Sequence, residues 1–139
     1  MEKKGKILGL DYGAKRIGVA ITDSERTVCF PRTVWEGLTT EGAIGKIKIL
    51  VGEEGVSEVV VGWPVNLKGE STRQTQATSA FIEELKKNLT IPVVAVDERF
   101  TSILATQRGG DDAVAAQILL EGYLALHSES VVKSNHESS

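Results

Sequence analysis

The sequence predicts a single α/β domain in which helices cover the faces of a mixed β-sheet. Three observations predict it. Apolar runs of strand length alternate with segments of helical period, the first two strands are close enough to form a hairpin, and no repeat or Pro/Ser-rich linker interrupts residues 1–127. A chain of 139 residues buries enough surface to form one core without a metal or a disulfide. We therefore predict one domain over residues 1–127.

Two short strands begin the chain. Lys6–Asp11 and Arg16–Thr22 are apolar runs bounded by turn residues, and only residues 12–15 separate them, which predicts a hairpin. A third strand is predicted over Cys29–Trp35. Pro31 lies within it and has no N–H to donate, which suits the edge of a sheet.

Two helices and a buried strand are predicted next. Apolar residues recur at helical spacing over Thr40–Gly52, although glycines weaken that helix. The β-branched run Glu58–Gly62 is typical of a strand covered on both faces. Ser71 and Gln74 form a capping-box pattern that predicts a second helix, and its apolar stripe continues to Leu89.

The last predicted strand and helix carry polar residues at their ends. Ile91–Asp97 reads as a buried strand that is followed by the polar residues Glu98 and Arg99. Asp112–His127 predicts a final helix, apolar on nearly every side, as expected for a helix that packs against a sheet. Residues 128–139 are polar and are expected to be disordered.

Composition excludes several classes of protein. Cys29 is the single cysteine and no Cys/His cluster exists, which excludes a disulfide-built scaffold and a structural zinc site. No signal-peptide core or membrane-spanning run is visible, so we expect a cytoplasmic protein with no membrane contact. The formal net charge of −3 gives no general attraction for polyanions. Any contact with nucleic acid therefore requires a local basic patch.

Four acidic residues lie at the ends of the predicted elements. Asp11 ends the first strand, Asp97 and Glu98 end the last strand, and Asp112 opens the final helix. In sheets of this kind, functional sites form at the carboxyl ends of the strands. Carboxylates that converge there repel one another unless a hard divalent cation, Mg²⁺ or Mn²⁺, binds them. Two such ions can activate water and stabilise the leaving oxygen in phosphodiester hydrolysis.

Each acid also has a purely structural explanation. Asp11 precedes Tyr12 and Gly13, and can shape a tight turn. Asp112 can cap its helix and complement the helix dipole, and the pair Asp97 and Glu98 can be solvated surface. Only the joint placement of the four residues favours a metal site.

Four segments, in this order, closely resemble the YqgF/RuvX family, and the resemblance spans residues 6 to about 126. They are LGLDYGAKRIGVA at 8–20, GWPVN at 62–66, DERFTS at 97–102 and DAVAAQILL at 112–120. The resemblance implies a ribonuclease-H-like fold with a five-stranded sheet in the order 3-2-1-4-5. It also implies kinship to Holliday-junction resolvases and a nuclease role at the 5′ end of precursor 16S ribosomal RNA.

By matching motif, the resemblance assigns catalysis to Asp11, Glu98 and Asp112, with Asp97 as a further metal ligand. Two departures from the family pattern bear on this assignment. Resolvase relatives place an acid at the end of the middle strand, where this chain has Gly62 and Trp63. Family members also usually carry a longer basic segment in place of residues 103–111, and so short a connection could pull Asp112 out of position.

Basic and polar residues near these acids are candidates for binding a nucleic-acid backbone, or for simple solvation of loops. They are Lys15, Arg16, Asn66, Lys68, Arg73 and Arg99. Trp63 could stack a base, but an aromatic residue at a strand end is more often part of a core or of a site wall.

Several functions remain open from the sequence. The first is a metal-dependent nuclease, a hydrolase of phosphodiester bonds, that processes pre-16S rRNA; a Holliday-junction resolvase acting on branched DNA is its closest alternative. A non-catalytic RNA-binding or transcription-associated module would bind nucleic acid without turnover. An actin-like or sugar-kinase-like ATPase ranks last, since those folds need two domains. We expect a monomer or a homodimer.

Overall fold

The structure is a computed structural model that describes residues 5–13, 15–63, 73–97 and 112–127. Within them, five strands form one mixed sheet in the order β3-β2-β1-β4-β5, which confirms the predicted order. The strands are β1 (Lys6–Tyr12), β2 (Arg16–Thr22), β3 (Cys29–Glu36), β4 (Val56–Trp63) and β5 (Val93–Asp97). The helices are α1 (Thr40–Glu54), α2 (Arg73–Asn88) and α3 (Asp112–His127). In this part of the chain, no helix combines the length and the apolar character that crossing a membrane requires.

Three parallel strands end at the same edge of the sheet. β1 runs parallel to β4, and β4 runs parallel to β5, whereas β2 is antiparallel to both of its neighbours. Leu10 pairs with Val61, and Val61 in turn pairs with Ala95. The carboxyl ends of β1, β4 and β5 therefore lie side by side, and we call this side of the sheet the carboxyl edge. The opposite side is the amino edge.

Alternate residues of the strands pack into two cores, one on each face of the sheet. The face covered by α1 and α2 contains Leu8, Leu10, Val59 and Val61, packed with Ile47, Phe81 and Leu85. The face covered by α3 contains Ile7, Ala20 and Val60, packed with Ala116, Leu119 and Leu120. This division follows from the two-residue period of a strand, and it decides which side of the sheet each later residue faces.

The observed elements differ from the predicted ones in a few bounds. α1 continues past Gly52 and ends at Gly55, which has a left-handed φ of 70° and donates its N–H to the Val51 carbonyl at 3.1 Å. Glycine adopts that conformation without steric cost, and β4 begins at the next residue. The capping box predicted at Ser71 lies outside the described residues.

Pro31 lies at the edge of the sheet, as predicted. It pairs with Ala20 on β2, and the register shifts between Val19 and Ala20. This shift accommodates the missing N–H as a local bulge.

Helix α3 crosses one face of the sheet from β3 towards β4. Gln117 donates from Nε2 to the carbonyl of Cys29, at the start of β3, at 3.2 Å. Leu120 lies against Gly9 of β1, where an added Cβ atom would come within 2.5 Å of the leucine Cγ. The hydroxyl of Tyr123 donates a hydrogen bond to Glu58 of β4. These contacts anchor the helix on three strands.

A polar cluster closes the amino edge. Arg26 donates from Nε to the Gly5 carbonyl at 3.0 Å and from Nη2 to the Ser57 hydroxyl at 2.8 Å, and its Nη1 lies 3.3 Å from Glu58. Tyr123 on α3 donates to the same glutamate. Burial, followed by the hydrogen bond to Glu58, raises the pKa of Tyr123 to about 12. The cluster links the β2–β3 turn, β4 and α3.

Alanine substitutions at Gly9 and at Gly45 should change the free energy of unfolding in opposite directions. Gly9→Ala forces Leu120 to move and should lower the free energy of unfolding by about 1–3 kcal/mol, the usual cost of overpacking. Gly45 lies in helix α1, and nothing lies within 4 Å of the methyl group that alanine would add. Gly45→Ala should therefore raise the free energy of unfolding by about 0.5–1 kcal/mol. Urea denaturation measures both values. A Gly9→Ala variant as stable as the wild type would contradict this packing of α3.

The raised pKa of Tyr123 predicts a loss of stability at alkaline pH. Its pKa is about 12 in the folded protein, against the ordinary value of 10.0. The unfolded chain therefore loses this proton first, so the stabilisation is complete below pH 10 and disappears as the pH rises through about 12. Urea denaturation at intervals between pH 9 and pH 12 should show a shallower decline for Tyr123→Phe than for the wild type. Identical slopes would mean that Tyr123 titrates normally.

Candidate active site

Asp11 lies one residue before the end of β1, half-buried, and pairs with Gly18 of β2. Ile7 belongs to the core under α3, and Gly9 contacts Leu120 of that helix. Because side chains alternate along a strand, Asp11 continues this series on the α3 face. The structure thus places the first predicted acid at the carboxyl edge, on the side that α3 covers.

Asp112 is the first residue of α3. It precedes the fully buried Ala116 by four residues and Leu120 by eight, so its position lies on the sheet-facing side of the helix. The side chain of Asp112 lies outside the described part of the chain.

Asp97, at the end of the last strand, lies at the same edge. Asp97 is the final residue of β5 and pairs with Trp63 at the end of β4. Its strand is two places from β1 in the sheet, a separation of about 10 Å between strand axes. Val94 and Val96 pack on the α3 face, whereas Val93 belongs to the core under α1 and α2. The side chain of Asp97 and all of Glu98 lie outside the described residues.

The tight turn between β1 and β2 presents two of the predicted basic residues. Gly13 donates its N–H to the Arg16 carbonyl at 2.9 Å, and both Lys15 and Arg16 are exposed. The guanidinium of Arg16 lies 4.0 Å from Glu36, and both side chains are more than half exposed, so this ion pair is weak. Arg73 begins α2, and its side chain lies outside the described part of the chain. Asn66, Lys68 and Arg99 lie outside it entirely.

The described residues alone do not complete a metal site. Within residues 5–13, 15–63, 73–97 and 112–127, no group of three or more His, Cys, Asp or Glu side chains could hold an ion. Of the four predicted ligands, Asp11 is the one whose side chain the structure describes. The backbone nevertheless brings the ends of β1 and β5 to one edge of the sheet.

Cys29 takes no part in this site. It is buried at the start of β3 and pairs with Thr22 near the amino edge. Burial, together with the nearby charges of Glu121 and Asp23, raises its pKa to about 11. A thiol with that pKa is almost fully protonated at neutral pH and is a poor nucleophile.

The structure shows a groove at the carboxyl edge that the sequence did not predict. Of its lining residues, Lys15 alone was a predicted site residue. The groove is shallow, with an enclosed space of only about 20 Å³, and its walls include Tyr12, Trp35, Thr39 and Thr40. Thr39 gives a local signal, because a threonine before an amphipathic run is a typical helix N-cap. Trp35 gives none, because its position beside Lys15 depends on how β2 pairs with β3.

Comparison with known proteins finds relatives over most of the chain. A family model described as "RuvX: Holliday junction resolvase" matches residues 5–126. A protein of Chloroflexus aggregans named "Putative pre-16S rRNA nuclease" is 42% identical over 130 residues, which cover 85% of this chain and 92% of that protein. A protein of the same name from Maridesulfovibrio salexigens is 33% identical over 132 residues, covering 86% of this chain and 98% of that one.

Solved structures share the fold at low sequence identity. RuvC of Thermus thermophilus superposes with a TM-score of 0.51 at 11% identity, covering 86% of this chain and 96% of that chain. The large terminase nuclease of the thermophilic phage G20c has a TM-score of 0.51 at 17% identity. The match covers 83% of this chain and 53% of the terminase nuclease, so this chain spans about half of its length. These similarities confirm the predicted ribonuclease-H-like fold.

Proposed function

We propose that this chain, which belongs to the RuvX family, is a nuclease that hydrolyses phosphodiester bonds in precursor 16S ribosomal RNA. The observation that carries the proposal is the place of Asp11 at the carboxyl end of β1, on the face of the sheet that α3 covers. Relatives named for this activity match most of the chain. The same proposal places the chain in the cytoplasm, where a ribosomal RNA precursor would meet it, as a monomer or a homodimer.

Asp11, Glu98 and Asp112 form the proposed catalytic set, with Asp97 as a further ligand. Asp11 faces α3, and the position of Asp112 lies on the sheet-facing side of that helix. The assignment of Glu98 follows the family motif DERFTS at 97–102.

A set of carboxylate oxygens fits Mg²⁺ or Mn²⁺, which are hard cations that prefer oxygen ligands. Such an ion, when bound, supplies a Lewis acid that lowers the pKa of water and stabilises the charge of the leaving oxygen. Without a cation, three converging carboxylates would repel one another, and their pKa values would rise. The chain's contribution is to hold the acids at one edge.

The β1–β2 turn supplies the nearest positive charge. Lys15 and Arg16 are exposed within a few residues of Asp11. The weak pair of Arg16 with Glu36, at 4.0 Å, can be exchanged for a phosphate at little cost. We propose that both residues hold the substrate backbone, together with Asn66, Lys68, Arg73 and Arg99. Because the chain carries a net charge of −3, this local patch must supply the attraction for RNA.

Two alternatives have specific support. The description of the matching family model names Holliday junction resolvase, which favours branched DNA as a second candidate substrate. The end of β4 carries Gly62 and Trp63 rather than an acid, which favours a module that binds nucleic acid without cleaving it. Purified protein, incubated with a 5′-extended 16S precursor fragment and with a four-way DNA junction, separates these alternatives.

Asp11→Asn should abolish cleavage while leaving the protein folded. Substitution of groups that merely support a metal ligand costs about 10–100-fold, so loss of a ligand itself should lower the rate by more than about 100-fold. Cleavage of the precursor fragment is measured in Mg²⁺ and in Mn²⁺. Glu53→Gln, which alters an exposed carboxylate on α1, is the matched control and should cleave at the wild-type rate.

The outcomes distinguish the candidates. Wild-type cleavage by Asp11→Asn would overturn the proposed site. Cleavage of the junction but not of the RNA would assign the chain to resolvase activity. Salt-sensitive binding to RNA without turnover in either metal would make the chain a binding module.

A further inference from the structure

We propose that the groove beside Trp35 binds one unpaired nucleotide of the substrate, next to the phosphate that is cleaved. The groove is bounded by the β1–β2 turn, the end of β3 and the beginning of α1, and we call it the Trp35 groove. The inference rests on the proposed function for its position relative to the cleaved bond. It goes further by making an unpaired strand, rather than a duplex, the form of nucleic acid that this edge recognises.

The groove is built on a row of three side chains that cross three strands. Tyr12 pairs with Ile17, and Ile17 pairs with Trp35, so all three lie at one level on the face covered by α1 and α2. Ile17 is 5% exposed and forms the floor. The two aromatic residues stand on strands that are separated by about 10 Å. Both are half-buried and pack against the core at their inner sides.

The aromatic walls are held in place by contacts outside the groove. The ring of Tyr12 stacks on Phe81 of α2, with centroids 4.2 Å apart and planes inclined by 15°. Phe81 is almost completely buried, so this wall is rigid. The ammonium group of Lys46 lies over the Trp35 ring, 5.9 Å from its centroid. One face of Trp35 therefore carries a cation.

Polar groups around these rings suit a phosphodiester backbone. Lys15 lines the groove and is exposed, so its ammonium group can reach a phosphate. Thr39 accepts a hydrogen bond from the Gly42 N–H at 3.0 Å, and its hydroxyl proton can still be donated. Thr40 adds a second exposed hydroxyl. The acidic residues nearby are Glu36, which lies beside Arg16, and Glu41 in the first turn of α1.

The size and the chemistry of the groove select its occupant. The enclosed space is only about 20 Å³, far below the range of about 300–1,000 Å³ that encloses a small molecule. A segment of a polymer gains its remaining affinity from contacts elsewhere, and needs no enclosure. Aromatic faces beside cations are the usual recognition surface for unpaired bases. In a duplex, the faces of the bases are stacked on their neighbours and cannot enter the groove.

The groove adjoins the candidate active site across the edge of the sheet. Tyr12 follows Asp11 directly, and consecutive residues of a strand face opposite sides. A strand of nucleic acid that crosses the carboxyl edge would therefore contact Asp11 on one side and the Trp35 groove on the other. Lys15 lies in the turn between them. This continuity places the bound nucleotide next to the cleaved phosphate.

The test measures binding without cleavage. The chain has two tryptophans, so Trp63→Phe leaves Trp35 as the single emitter. Titration of this variant with a short single-stranded RNA in EDTA should quench its fluorescence in a saturable manner. The same RNA, paired with its complement, should quench it much less. Trp35→Ala, followed by the anisotropy of labelled RNA, should weaken binding about 5–150-fold, whereas Trp35→Phe should retain most of the affinity.

A charge-matched pair of variants checks the role of Lys15. Lys15→Gln, in the Trp63→Phe background, should weaken binding and lower the slope of log Kd against log salt by about 0.7, the value for one phosphate contact on a single strand. Lys48→Gln removes the same charge from an exposed position on α1, eight residues beyond Thr40, and should change neither quantity. Circular dichroism confirms that both variants fold.

Failure of this inference is distinguishable from failure of the proposed function. If single-stranded RNA quenches Trp35 but no substrate is cleaved, the groove stands and the proposed nuclease does not. If the chain cleaves RNA but leaves the emission of Trp35 unchanged, the groove proposal is overturned. Equal quenching by duplex and single strand, or equal effects of Lys15→Gln and Lys48→Gln, would also overturn it.

Discussion

The close contact between helix α3 and Gly9 is the constraint on which the candidate site depends. A side chain at position 9 would meet Leu120 at 2.5 Å, so the absence of a Cβ atom lets the helix lie directly on β1. The hydrogen bond from Tyr123 to Glu58 holds the helix on β4, and the hydrogen bond from Gln117 to the Cys29 carbonyl holds it on β3. Asp11 lies two residues beyond Gly9 on the same strand. The face of β1 that carries Asp11 is therefore the face that α3 covers.

The charged residues at the two edges of the sheet differ in burial. At the amino edge, Arg26 and Glu58 are largely buried and joined in a network that links three elements. Removing one partner of such a network leaves a buried polar group without its hydrogen bond, which is costly. At the carboxyl edge, Lys15 and Arg16 are exposed, and the ion pair of Arg16 with Glu36 at 4.0 Å is weak. The exposed charges of Lys15 and Arg16 can exchange contacts with solvent, or a weak ion pair, for a contact with a phosphate.

Local patterns in the sequence were sufficient to predict the strands and helices of the described residues. The apolar run of β1 and the helical spacing of α3 are properties of consecutive residues, and the resemblance to a known family supplied the strand order. Small errors arose where one backbone conformation decides a boundary, as at Gly55. The Trp35 groove could not be predicted, because its row of side chains depends on the register of β3, which shifts opposite Pro31. The acids at the strand ends were visible in the sequence. The resemblance to the family supplied the preference for Glu98 over Asp97.

A crystal structure of the protein grown with Mn²⁺ would show whether Asp11, Glu98 and Asp112 bind a metal ion together. We expect an anomalous peak about 2.1 Å from carboxylate oxygens of these three residues, at the carboxyl edge on the α3 face. A map with these three carboxylates pointing apart, and with no Mn²⁺ between them at saturating concentration, would contradict it.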